Sequence, residues 1–269
     1  MLQKFDVNDL VLGQKMFIAN EVQYNLIHRI CESKTSKCLK TTDGTMVFAQ
    51  SEGQNAWLWI SKDLANDKKN NFLQELLETL KGTILPGVTG DPMMVELFAQ
   101  VYSEANNLQY FPHMTMESYS CSELKKPMNV NGKMHRATRQ NVETIAEFLA
   151  GFSDGAYGVT VDPASQIPVA EGIIGTGNLF LWFVDNQPVS MANIAHRSPR
   201  HARINAVYTP PVFRKKGYAS ALVAELCSFL ESEKLEPMLY ADVKNSDSNK
   251  VYQNIGFVER GKVVDIKFK

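Results

Sequence analysis

The sequence predicts a mixed α/β protein built from two domains. Three observations carry that expectation. The chain has 269 residues, more than an ordinary single domain needs. Hydrophobic residues make up 44% and charged residues 21%, enough for a substantial core. Short strand-like runs also alternate with segments that have one apolar helical face. Lysine plus arginine total 28 against 29 acidic residues, a net charge of −1. That balance provides no global field to hold nucleic acid or an anionic membrane. The longest fully apolar run, Leu179 to Val184, is far shorter than the ~20 residues of a bilayer span. Met1 to Asp6 reads as lacking a secretory signal. Cys31, Cys38, Cys121 and Cys227 show no C-x-x-C spacing, so neither a metal site nor a disulfide framework is expected. Scattered thiols fit a reducing cytoplasm. An enzyme or binding protein of the cytoplasm, with no membrane and no nucleic-acid partner, is the expectation that survives.

In the first half, Thr45 to Gln50 and Ala56 to Ile60 read as strands, with Asp43-Gly44 and Ser51-Glu52-Gly53 as turns. Phe72, Leu73, Leu76, Leu77 and Leu80 recur at helical spacing, and Gly82 follows as a C-cap. Ile84 to Val88 reads as a strand. Asp91-Pro92 starts a helix whose apolar face is Met94, Leu97, Phe98 and Val101. Between Cys121 and Lys133 polar and breaker residues dominate. A domain boundary is expected there, giving residues 1–128 and 129–269.

The second half opens with a strand at Met134 to Ala137. Thr138 then caps a helix with the stripe Val142, Ile145, Leu149 and Phe152. A looser helical stretch spans Pro163 to Ile174. Leu179 to Val184 reads as a strand buried on both faces, and Val189 to Ala195 and Ala202 to Tyr208 complete a meander. A helix from about Lys216 to Leu230, a strand Leu239 to Val243, a helix Ser246 to Asn254 and a final strand pair from Phe257 to Phe268 follow. The basic run His196 to Arg203 reads as a solvated hairpin, and Trp57, Trp59 and Trp182 as core.

The most informative segment is Val207-Tyr208-Thr209-Pro210-Pro211-Val212-Phe213-Arg214-Lys215-Lys216-Gly217-Tyr218-Ala219. Two prolines end a strand, and a basic, glycine-containing loop opens an amphipathic helix. Gly217 permits a close backbone approach or a geometry barred to other residues. The first N–H groups of a helix lack intrahelical partners and sit at its positive end, so such a terminus binds phosphate. Taken alone, this pattern is as easily a basic surface turn.

With its context, the sequence resembles the GNAT superfamily of acyl-CoA-dependent N-acyltransferases. The family's [Arg/Gln]-x-x-Gly-x-[Gly/Ala] signature reads here Arg214-Lys215-Lys216-Gly217-Tyr218-Ala219, and its second motif reads Asn245 to Phe257, with Tyr252 and Gly256-Phe257 at the usual spacing. The resemblance is carried by residues from about 132 to 269. It implies an acyl-CoA N-acyltransferase fold with a splayed mixed sheet. A closer likeness is to a bacterial subgroup with an extra N-terminal α/β domain. Whether that domain is a degenerate second GNAT-like copy stays open; residues 1 to 128 carry no R-x-x-G-x-A.

By resemblance, the backbone of Ala206, Val207 and Tyr208 pairs with the pantetheine amides of acetyl-CoA. Arg214, Lys215, Lys216, Gly217, Tyr218, Ala219 and Ser220 form the pyrophosphate cradle. Asn245 either contacts the cofactor or caps its helix. No metal is required. Tyr252 is the candidate general acid for the departing thiolate, or else an aromatic residue packed beside Phe257. An ordinary tyrosine pKa near ~10 against ~8.5 for a thiol makes full proton transfer uphill by about 2 kcal/mol. The acceptor is a small-molecule or peptide amine, and losing its proton at pH 7 costs about 4 to 5 kcal/mol. Glu171, Asp162 and His196 lie in segments compatible with a base, but none is singled out. The chain is expected to be a monomer or a homodimer. The rival readings are an acyl-CoA-binding regulatory or scaffold protein without turnover, and a transferase with a different acyl-CoA donor.

Overall fold

The computed structural model describes residues 1–269. They gather into two units that interleave along the chain. Unit 1 comprises Met1–Tyr119, Tyr240–Asn245 and Glu259–Lys269, and unit 2 comprises Ser120–Leu239 and Ser246–Val258. The expected boundary at 128/129 lies inside the first segment of unit 2, and two C-terminal segments return to unit 1.

The chain begins with β1 (Leu2–Lys4), α1 (Lys15–Ile18), α2 (Leu26–Cys31), β2 (Lys37–Thr41), β3 (Met46–Gln50), β4 (Ala56–Ile60), α3 (Asn66–Thr79), β5 (Gly87–Gly90), α4 (Pro92–Asn106) and β6 (Tyr110–Ser120). It continues through β7 (Lys133–Arg136), α5 (Val142–Tyr157), α6 (Ile167–Gly175), β8 (Leu179–Val184), β9 (Gln187–Arg197), β10 (His201–Tyr208), α7 (Tyr218–Ser232), β11 (Glu236–Asp242), α8 (Ser246–Asn254) and β12 (Val258–Phe268). The chain is thus mixed α/β, as the alternation of runs predicts.

In unit 1, β1, β2, β3 and β4 pair antiparallel in succession. β5 joins β4 in parallel, from Ala56↔Val88 to Leu58↔Gly90, and β12 lies antiparallel on its other side, from Val264↔Gly90 to Lys267↔Gly87. Every residue of β3 and β4 is buried. The pleat explains their unbroken apolar sequence: Phe48 and Leu58 meet Leu76 of α3 and Phe98 of α4, whereas Val47 and Trp59 meet Phe17 and Tyr24. Asp91 caps α4 as expected, its side chain accepting from the Met93 N–H at 3.1 Å.

The strand expected at Ile84 to Val88 instead runs over Gly87–Gly90. Its glycines reflect tight strand spacing, since a Cβ at Gly87 would strike the Ile266 carbonyl and one at Gly90 the Leu58 carbonyl. Ile84 lies outside the strand and is exposed.

Unit 2 is a meander with helices on it. β7 pairs with β8, β8 with β9 and β9 with β10, all antiparallel. β11 pairs with β10 in parallel. Ile145 and Leu149 of α5 pack with Leu181, Met191 and Ala170. Asn141 accepts from the Thr138 N–H at 3.0 Å, closing the turn that starts α5.

Two further expectations are corrected. Phe257 to Phe268 is not a strand pair: β12 is one strand, and Gly261, at φ +127°, sits within it without turning it back. His196 to Arg203 is not a solvated hairpin. β9 and β10 run into it, and His196, Ser198 and His201 are buried. Arg197 forms an ion pair with Glu233 at 2.7 Å, and His201 faces Glu236 at 3.7 Å. Trp57, Trp59 and Trp182 are core. No helix is long and apolar enough to cross a membrane.

Candidate active site

The candidate site starts where β10 outruns its neighbour. Its parallel pairing with β11 covers His201↔Glu236, Ala202↔Pro237 and Arg203↔Met238, yet β10 continues to Tyr208. On its other edge, against β9, the register shifts between Asn205 and Tyr208. Ala206 sits in that bulge at φ +49°, a conformation that costs a residue with a Cβ roughly 1 kcal/mol or more. Residues Asn205 to Tyr208 are half-buried. The strand end is held by Ser190, whose hydroxyl donates to the Tyr208 carbonyl at 3.0 Å and shares a hydrogen bond with the Thr209 hydroxyl at 2.9 Å. The Tyr208 ring lies over Gly151 of α5 and contacts Phe148.

Beyond Thr209, Pro210 and Pro211 bring in a tight turn, in which Phe213 donates its N–H to Pro210 O at 2.9 Å. Arg214 helps to hold this turn: its Nε donates to the Thr209 carbonyl at 3.0 Å, and its guanidinium lies 6.0 Å from the Tyr208 ring centroid. Lys215 (φ +62°) and Gly217 (φ +81°) both take the left-handed conformation, which turns the chain into α7. A Cβ on Gly217 would stand 3.0 Å from the Val130 side chain.

Gly217 is the N-cap of α7, and no side chain caps that terminus. The first N–H groups of the helix therefore have no intrahelical or side-chain partner, at the positive end of the dipole. Lys215 and Lys216 beside it are exposed. This is chemistry for an anionic group, and the glycine leaves its approach free of side-chain bulk.

Tyr252 stands on α8, which packs beside α7. Its side chain is buried, with a ring-to-ring distance of 5.9 Å to Phe257. Burial pushes its hydroxyl pKa well above the usual tyrosine range. Tyr252 is therefore a firmly protonated donor, and giving up its proton outright costs more than the sequence-based 2 kcal/mol. Asn245 falls in unit 1, where its N–H donates to the Asp242 carbonyl at 3.0 Å in the turn after β11.

Ala206, Val207, Tyr208 and Arg214 to Ser220 are thus gathered on one strand–turn–helix of unit 2, which also contains Tyr252. The possible bases are dispersed. Asp162 accepts from the Ala164 N–H at 3.2 Å, Glu171 is exposed on α6, and His196 is buried in β9. Sequence reasoning missed Ser190, Thr209, Gly151 and Val130 as supports of the loop. Only Gly151 left a sign, as a glycine in the middle of a helical stripe. No group of three or more His, Cys, Asp or Glu side chains is placed to hold a metal ion. An open hollow of about 440 Å³ between Gln100 and Tyr110 contains none of the candidate residues.

Residues 156–257 match the model of the GNAT acetyltransferase family. The match takes in the bulged strand, the glycine loop, α7 and Tyr252. Solved structures with the same fold extend over the whole chain. A Drosophila protein superposes with a TM-score of 0.67 at 11% identity, covering 100% of this chain and 98% of its own. A GCN5-related N-acetyltransferase from Sphaerobacter thermophilus gives 0.60 at 12%, covering 100% and 95%. A GNAT-family acetyltransferase from Colwellia psychrerythraea gives 0.59 at 12%, covering 100% of both chains. At these identities the likeness is one of fold. No curated protein matches the sequence.

Proposed function

We propose that this GNAT domain moves the acetyl group of acetyl-CoA to a primary amine by direct attack, without an acyl-enzyme. The observation that carries the reading is the uncapped N-terminus of α7 behind Gly217, directly after a strand end that outruns its parallel neighbour. Its free N–H groups fit a diphosphate, with Lys215 and Lys216 adding charge. Val207 and the bulge at Ala206 offer backbone groups to an extended amide-bearing arm. The Tyr208 carbonyl already accepts from Ser190, so its remaining lone pair and its N–H are what it can offer. Acetyl-CoA supplies an activated thioester carbonyl. A main-chain N–H near Val207 or Tyr208 is suited to stabilise the oxyanion, and Tyr252 is suited to donate a hydrogen bond to the departing sulfur. Arg214 acts mainly by holding the turn, and Asn245 by shaping the entry to α8.

Unit 1 repeats the order of unit 2: an antiparallel trio, a helix, a strand parallel to the third member, and another helix. We infer that it is a copy of the fold without the cradle. Ser61 to Ala65, between β4 and α3, contains no glycine and carries no R-x-x-G-x-A.

Calorimetric titration of CoA-stripped protein with acetyl-CoA tests the reading. Saturable binding at one site per chain is expected, and Gly217→Glu should weaken it at least about 30-fold by setting bulk and a negative charge where the phosphates belong. Wild-type affinity in the folded variant would sink the cradle. Binding without CoA release in a broad amine screen would favour the non-catalytic alternative.

A further inference from the structure

The cysteines, scattered in sequence, form two buried pairs. The Sγ atoms of Cys31 and Cys38 stand 3.2 Å apart in unit 1. In unit 2 the Cys121 and Cys227 thiols are hydrogen-bonded to each other. The pairs differ in access. Cys121 and Cys227 are 1% and 0% exposed, whereas Cys31 and Cys38 are each 5% exposed. Cys31 ends α2, Cys38 lies in β2, and residues 32 to 35 between them are exposed. That short exposed turn is the segment that would open to admit a small reagent.

We propose that Cys31 and Cys38 form a dithiol modification site, closed to an intramolecular disulfide by a hydroperoxide. Either sulfur can donate in the 3.2 Å contact, and the one that accepts is the more easily ionised. With Cys31 donating, Cys38 is the nucleophile, its ionisation opposed by burial and by Asp6. Its thiolate attacks one peroxide oxygen, the O–O bond breaks, and the departing oxygen takes up a proton to leave as an alcohol or as water. The Cys31 sulfur then attacks the Cys38 sulfenic acid, the S–O bond breaks, and the hydroxide leaves with the Cys31 proton as water. Two thiols lose two electrons, and the peroxide gains them. The sulfurs need to close by about 1 Å to reach bonding distance, ~2.05 Å.

Hydrogen peroxide applied to the native protein, followed by alkylation under denaturing conditions and trypsin, tests this. Cleavage after Arg29, Lys34, Lys37 and Lys40 should yield Ile30–Lys34 joined to Cys38–Lys40. The joined species should be lighter by two hydrogens and separable by dithiothreitol. Two of the four thiols should be lost. In Cys31→Ser the joined species should vanish, and Cys38 should become trappable by dimedone. Cys31 and Cys38 both recovered as alkylated thiols, at peroxide levels that oxidise exposed Met128, would overturn the proposal. So would sulfinic acid at either position without the linked species.

Discussion

Tyr252 concentrates the catalytic question in one hydroxyl. Burial keeps its proton on oxygen, so in the proposed reaction it would act through a hydrogen bond to the leaving sulfur rather than by early proton loss. A preorganised hydrogen-bond donor to developing charge typically contributes at least about a hundredfold, and Tyr252→Phe should lower kcat by about that factor. Acetyl-CoA affinity should stay within about twofold, because removing the hydroxyl leaves the ring packing intact. Steady-state kinetics with a reactive amine, paired with calorimetry, reads both quantities. Unchanged turnover would leave Tyr252 as a packing residue. Sequence spacing picked out this position together with Gly217, since both belong to short motifs with fixed local geometry. The burial that raises the Tyr252 pKa depends on elements distant in sequence, and no local pattern records it.

The docking of α5 on β10 depends on a single missing methyl group. A Cβ at Gly151 would run into the Tyr208 ring, reaching 2.5 Å from its Cζ, and that ring is hemmed in by Phe148 and by the Arg214 guanidinium. Two effects compete in Gly151→Ala. Alanine in a helix interior gains about 1 kcal/mol over glycine, while overpacking a fixed ring costs about 1–3 kcal/mol. The clash should win by about 1 kcal/mol in urea denaturation, and acetyl-CoA binding should weaken as the strand end shifts. In a Tyr208→Ala background the same substitution should become stabilising, by helix propensity alone. Additive effects in the double-mutant cycle would refute the contact. Elements with a clear period, such as α4, α5, α7, β3, β4 and β8, were legible in the sequence for the same reason that they pack well. β6 was not: Pro112 interrupts it, its first half is largely exposed, and no alternation marks it. β2 and the short α1 and α2 went unread as well, because their residues are fixed by tertiary neighbours and not by local spacing.

At the scale of the whole chain, the expectation least available to sequence reasoning was that its last strand belongs with its first residues. β12 completes unit 1 through its pairing with β5, and side chains reinforce the seam. Asp265 accepts from the Thr89 hydroxyl at 2.9 Å and also pairs with Asn55, while the Lys267 ammonium donates to Asn55 at 2.8 Å. Val263 and Ile266 are fully buried there, in the two different core clusters of unit 1. Burying each is worth about 1.5–3 kcal/mol, before the ladder hydrogen bonds are counted. A typical domain has only about 5–15 kcal/mol in total. Deleting residues 259–269 should therefore unfold unit 1, although every residue of the Arg214–Ser220 loop and Tyr252 would still be present. Hydrogen exchange should show protection lost in β3, β4 and α4 of the truncated chain, in regions up to about 200 residues upstream of the cut. Supplying the missing strand as a peptide should restore that protection, in a concentration-dependent way. If the truncated chain instead kept native protection in β3 and β4, β12 would be dispensable, and unit 1 would hold together within its N-terminal segment.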